Sequence, residues 1–166
     1  MTFSFKSQEL KKKLFSKENF ANFIIIGVIF FLDRISKISL LNNLNDGAYY
    51  INNYLNIDLI WNTGIGFGLL SSSSSLFYNF VTIFIGLVII FLIYIFLISE
   101  KFEKLIYSLI IGGALGNFYD RLVYKAVPDF IDLHYNNFHW FTFNVADIFI
   151  TVGIIAFIFI GFYIKN

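Results

Sequence analysis

Cysteine is absent from this chain, proline occurs once, and charged residues make up only 14% of its 166 positions. Without cysteine there can be no disulfide, no thiolate metal site and no cysteine nucleophile. The two histidines, His134 and His139, are too few for a metal cage of histidines alone, though carboxylates could help one, and both read as interfacial side chains rather than ligands. A net charge of +1 gives no basic bias toward nucleic acid. What the chain does have is apolar bulk: 58% hydrophobic and 21% aromatic residues, with a mean hydropathy of +0.73. A soluble domain of this length cannot bury that much apolar surface in one core, whereas a bilayer can accept it. The composition implies one integral membrane domain over 1–166.

Four apolar segments, near 20–41, 76–98, 102–124 and 144–164, are long enough to cross about 30 Å of hydrocarbon. Lysines cluster before the first (Lys6, Lys11, Lys12, Lys13, Lys17), between the second and third (Lys101, Lys104) and at the C-terminus (Lys165), whereas residues 42–75 contain no Lys or Arg. By the positive-inside rule both termini are expected in the cytoplasm and two loops outside. In the first outer loop, Leu55, Ile57, Leu59 and Trp61 alternate with Asn56 and Asp58, the period of a strand. Ser71–Ser75 reads as a flexible link, and the aromatic loop 125–143 as a piece lying on the membrane.

Ionisable residues inside spans are costly and mark function by default. Asp33, Arg34 and Lys37 lie late in the first span, Asn117, Asp120 and Arg121 at the end of the third, and Asn144 and Asp147 at the start of the fourth. All fall toward the outer interface, and nothing comparable is expected at mid-depth or on the inner side, which argues against an ion path. Asp33 with Lys37, and Asp120 with Arg121, read as structural pairs. Asn144 with Asp147 resembles a capping box at a helix start. Gly112 and Gly116 form a small-xxx-small step for close helix approach. Asp129 and Asp147 have no basic neighbour in sequence. Facing one another they could not both ionise easily, which suits an acid–base pair acting on water and a carbonyl. Asp132 rivals Asp129, because the two would point the same way if this stretch were helical.

Five stretches carry a family resemblance: "DRISK" at 33–37, "NTGIGFG" at 62–68, "GGALGNFYDR" at 112–121, "VPDF" at 127–130 and "FNVAD" at 143–147. In this order the chain resembles the prolipoprotein signal peptidases (signal peptidase II), bacterial membrane aspartic proteases. The resemblance implies an all-α membrane fold of four transmembrane helices with a small extracytoplasmic β-cradle, about 44–70, and a short membrane-lying loop or helix. It implies a catalytic dyad of Asp129 and Asp147, with Asp33, Lys37, Asn62, Gly64, Asn117, Asp120, Arg121 and Asn144 binding substrate or supporting the site. The implied substrate is a diacylglyceryl-modified prolipoprotein, cut just before its lipidated cysteine at the outer face of the bacterial inner membrane. No cofactor or metal is implied, and a monomer working in lipid is expected. Arg34, Ser36 and Pro128 depart from the family's usual choices.

Overall fold

The structure is a computed structural model and describes residues 16–43, 48–64, 75–136 and 138–163. Four helices and four strands alternate in small groups: α1 (Lys17–Asn43), β1 (Tyr49–Asn52), β2 (Leu55–Asn62), α2 (Ser75–Ile98), α3 (Lys101–Tyr124), β3 (Val127–Tyr135), β4 (Phe138–Phe143) and α4 (Val145–Tyr163). The N-terminal lysines before residue 16, the linker residues 71–74 and Lys165 lie outside the described residues.

Helix boundaries follow local chemistry. The Ser16 hydroxyl accepts the Asn19 N–H at 3.1 Å, a side-chain cap at the start of α1. Lys125, at φ 59°, closes α3 in the left-handed conformation that commonly ends helices. By length and apolarity alone one described helix, Ser75–Ile98, qualifies as a membrane span, and Val145–Gly161 is a shorter apolar stretch. α1 and α3 carry charged side chains within their apolar runs, Asp33, Arg34 and Lys37 in the first and Lys104, Asp120 and Arg121 in the second. All four helices nevertheless turn large apolar side chains outward, among them Phe31, Phe80, Leu122 and Phe159.

α3 is the hub and packs against each of the other three helices. Its glycines explain how. A Cβ on Gly112 would lie 2.8 Å from Ile29 Cβ of α1, one on Gly113 would lie 2.5 Å from the Ala146 carbonyl oxygen of α4, and one on Gly116 would lie 2.5 Å from the Asp33 carboxylate. These positions admit no side chain because neighbouring backbone or fixed charge occupies the space. Gly27, by contrast, faces open space. Gly113→Ala should therefore cost about 1–3 kcal/mol through forced helix separation. Gly27→Ala should stabilise by roughly 0.5–1 kcal/mol, the helix-propensity gain. Reversible unfolding in micelles measures both, and equal signs for the two variants would contradict this packing.

The strands form one antiparallel sheet in the order β1-β2-β3-β4. This corrects two expectations. The β region is not confined to about 44–70, although 44–47 and 65–70 lie outside the described residues. The stretch 125–143, expected as a loop or short helix, folds as the hairpin β3–β4. Among the described residues the fold is thus four helices plus a four-stranded sheet rather than all-α. β3 is flanked by β2 and β4 and buried on both faces along most of its length, so its side chains lack the in–out alternation that betrays an edge strand. The available clue was "YNNF": Asn136 takes φ 52° in the turn between the strands, a conformation asparagine tolerates. Pro128 sits second in β3, near the strand start, where a missing N–H is tolerated.

Candidate active site

The C-terminal ends of α1 and α3 and the N-terminal end of α4 meet the sheet at a cluster of polar side chains. Two carboxylates are its centre. Asp129 comes from β3, where Asn62 Nδ2 of β2 donates to one oxygen at 2.9 Å and Asn144 Nδ2 donates to the other at 2.6 Å. Asp147 comes from the first turn of α4. Its Oδ1 accepts from Asn117 Nδ2 at 2.8 Å, and its Oδ2 accepts the Asn144 N–H at 3.1 Å. Asn144 Oδ1 in turn accepts the Asp147 N–H at 3.1 Å. That reciprocal pair is a capping box with aspartate in the third position, so the capping role expected from sequence exists. It uses one carboxylate oxygen and leaves the other turned to Asn117.

Both carboxylates line one cavity of about 310 Å³, with Asn62, Asn117 and Arg121 on its polar side and Ile85, Ile150 and Ile154 on its apolar side. Neither takes part in an ion pair among the described residues. Burial pushes the Asp129 carboxyl up to about 6, the charge of Asp147 adds to that rise, and the Asn62 and Asn144 hydrogen bonds and the Lys37 charge hold it back. Asp132 does not line the cavity. Three residues from Asp129 on a strand, it points to the opposite face, where His139 Nδ1 lies 2.7 Å from its Oδ2. The strand, not a helix, separates the two candidates.

Behind the carboxylates lies a buried ionic tetrad. The Lys37 ammonium contacts Asp33 Oδ2 at 2.8 Å, Asn117 Oδ1 at 2.8 Å and Asp120 Oδ2 at 2.7 Å, which uses all three of its protons. Arg34 bridges the same two aspartates, at 3.2 Å to Asp33 and 2.6 Å to Asp120. The expected pairing of Asp120 with Arg121 is not formed. Neighbours in sequence on a helix point about 100° apart, and Arg121 donates instead to the Gly64 carbonyl. The Tyr78 hydroxyl donates to the Arg121 carbonyl at 3.0 Å. Gly64 N–H donates to Asn62 Oδ1 at 2.8 Å, so Arg121 fixes the loop that orients the Asn62 amide toward Asp129. Asp33 also accepts the Ala146 N–H through its Oδ1 at 3.0 Å, capping α4 from another helix.

Each site residue expected from sequence falls within this one network: Asp33, Lys37, Asn62, Gly64, Asn117, Asp120, Arg121, Asp129, Asn144 and Asp147. The rest of "NTGIGFG", residues 65–68, lies outside the described residues. Arg34 and Tyr78 were not expected to take part. Arg34 stood out as an ionisable residue of the first span and as a departure from the family's pattern, without an assigned role, and Tyr78 resembles the surrounding apolar run. Nor do all buried polar groups gather at this end. Lys104 Nζ donates to Asn19 Oδ1 at 2.8 Å and the Ser108 hydroxyl to Asn22 Oδ1 at 3.1 Å, joining α1 and α3 near the start of both helices. Lys104, expected in a hairpin, is buried in the second turn of α3.

Comparison with known proteins places this arrangement. The profile of the signal peptidase (SPase) II family matches residues 25–163. The lipoprotein signal peptidase of Pelagibacter ubique is 48% identical over 157 residues, covering 93% of this chain and 95% of that protein. That of Thermodesulfovibrio yellowstonii is 43% identical over 138 residues, covering 82% and 90%. A solved bacterial membrane enzyme superposes with a TM-score of 0.74 at 29% identity, covering 88% of this chain and 90% of its own. With the family profile matching residues 25–163 and relatives alike over most of its length, the chain belongs to the signal peptidase II family.

Proposed function

We propose that this protein is a membrane aspartic endopeptidase that removes signal peptides from diacylglyceryl-modified prolipoproteins, cutting before the lipidated cysteine. Family membership makes it a lipoprotein-processing protease. The observation that carries the catalytic type is the pair Asp129 and Asp147: two carboxylates on one cavity wall, each held by amide donors, with no cation paired to either among the described residues. Amide donors orient a carboxylate without fixing its charge, so one proton can be shared between the two.

In this reading the ionised carboxylate takes a proton from water as it attacks the scissile carbonyl, and the protonated one donates to the carbonyl oxygen. The resulting gem-diol collapses with breakage of the C–N bond, and the proton drawn from water passes to the departing amine. Asn117 ties Asp147 to the tetrad, so the acid–base pair is braced by groups that never touch substrate. In the same reading four helices span the membrane with both termini in the cytoplasm, and the cavity opens toward the outer face of the inner membrane. The apolar cavity wall meets the signal helix, and the diacylglycerol remains in lipid. The protein acts as a monomer and draws on no cofactor for this step.

Purified protein mixed with a diacylglyceryl-prolipoprotein should yield a mature product whose N-terminal residue, by mass spectrometry, is the lipidated cysteine. The unlipidated precursor should remain uncut. Cleavage elsewhere, or equal cleavage of both precursors, would remove the lipid-dependent reading. No cleavage of a substrate that a control signal peptidase processes would favour a scaffold role for the polar cluster.

A further inference from the structure

On the sheet face turned away from Asp129, Asp132 meets both histidines of the chain. Its Oδ2 lies 2.7 Å from His139 Nδ1 and 3.7 Å from His134 Nδ1. One potential ligand atom from each of the three residues falls within 4.8 Å of the other two. The second distance is too long for a hydrogen bond, and His134 Nδ1 and Asp132 Oδ1 are both buried without a hydrogen-bond partner. Asp132 is 2% exposed and His134 7% exposed. Two unpartnered polar atoms in so closed a place are costly unless something bridges them. Asn56, across the sheet on β2, places its Nδ2 3.4 Å from Asp132 Oδ2, and its own Oδ1 is also buried without a partner.

The backbone is built to make this meeting. β3 and β4 pair regularly through Ile131–Phe143, Asp132–Thr142 and Leu133–Phe141, and the register then shifts so that His134 faces His139. Had the regular register continued, Trp140 would stand opposite His134 and His139 would project from the other face. A bulge that makes Trp140 the extra residue brings His139 onto the face of Asp132 and His134, the re-aiming for which bulges are used. The imidazole rings stack with centroids 5.4 Å apart.

We propose that Asp132, His134 and His139 bind one zinc(II) ion, with the Asn56 carboxamide oxygen or water as fourth ligand. Two imidazole nitrogens and a carboxylate form a set suited to zinc and poorly suited to magnesium or calcium, which favour all-oxygen shells. Donors around tetrahedral zinc stand roughly 3.3–3.5 Å apart, so the 2.7 Å contact must open while the wider spacings close, an adjustment that the His139 side chain, 57% exposed, can supply by rotation. The ion would clamp β4 to β3 beside the hairpin turn and satisfy the buried atoms. The site is separate from the cavity of Asp129 and Asp147, and the inference does not depend on the protease reading.

The test uses the full chain in detergent, with any purification tag removed and bound metal stripped by chelator. Zinc chloride is titrated calorimetrically, and cobalt(II) serves as a coloured substitute. Wild type should take up one zinc per chain, and cobalt should give the intense visible bands of a tetrahedral site. Because the chain has only two histidines and no cysteine, His139→Ala leaves no other nitrogen pair. Its affinity should fall by about a hundredfold or more, since losing even an outer-sphere partner costs about 10–100-fold. His139 is exposed, so this variant should fold as wild type does, and His134→Gln gives a second reading once its melting curve matches. Uptake by His139→Ala equal to wild type would mean adventitious carboxylates or lipid hold the metal and would overturn the site. So would the absence of saturable zinc uptake by wild type.

Discussion

Asp129→Asn should abolish cleavage and, at the same time, flatten the dependence of stability on pH. The first effect follows from losing a proton-transfer group, which costs on the order of 10²–10⁴ in rate. The second follows from burial. In the folded chain the Asp129 carboxyl is pushed up to about 6 from an ordinary 3.8. Below 3.8 the group is protonated whether folded or not, and its contribution is complete. Between 3.8 and about 6 the unfolded chain releases the proton and the folded chain retains it, so stability falls as pH rises. At about 1.4 kcal/mol per pH unit the loss reaches about 3 kcal/mol near neutrality. Asparagine carries no charge, so the variant should lack this limb of the curve.

Asp147→Asn should be equally inactive but behave differently in stability. Its side chain caps α4 with one oxygen and meets Asn117 with the other. Asparagine keeps one acceptor and must give up one of the two bonds, a loss of about 1 kcal/mol. Unfolding followed by circular dichroism across pH about 4 to 7.5, beside the cleavage assay, separates the two variants. Wild-type cleavage by either variant would end the dyad reading. An undiminished fall of stability with pH in Asp129→Asn would show that the limb belongs to another group.

How much of this was legible in the sequence depended on whether a residue acts through its own chemistry or through its partner across the fold. The helices were legible because apolar runs of about 20 residues have few alternatives. The charged residues of the spans stood out because charge inside such a run is expensive and needs a reason. Asn62 and Gly64 entered only through the family motifs, and Asp129, outside the spans, through its motif and its lack of a basic neighbour. The β3–β4 hairpin was not. A strand buried on both faces has no alternation, and "VPDFIDLHY" reads as an apolar segment interrupted by acids. Pairings failed for a related reason: Asp120 stands next to Arg121 in sequence yet binds Arg34 and Lys37 from another helix. The histidines show the limit most clearly. His134 and His139 look like unrelated interfacial side chains, and only a one-residue register shift puts them side by side.

Lys37→Met should be the most destabilising single change in the bundle, costing about 3–5 kcal/mol. The ammonium is fully buried and serves three oxygen acceptors on α1 and α3. With it gone, Asp33 and Asp120 share Arg34 as their one remaining cation and the cluster passes from neutral to a net charge of −1. Arginine should be a poor replacement, since a planar fork cannot copy three bonds radiating from one nitrogen. Lys37→Met/Asp120→Asn restores neutrality and should recover part of the loss. If the double variant is no more stable than Lys37→Met, or if Lys37→Met unfolds like wild type, the tetrad is not the brace described above. Cleavage separates charge balance from positioning. Neutrality returns in the double variant, but Asn117 still lacks the Lys37 contact that fixes which way its amide faces Asp147. Stability should therefore recover further than activity, because the tetrad holds the helices by its summed charge, and the double variant keeps the Asp33 cap on α4 but not the amide orientation that positions Asp147.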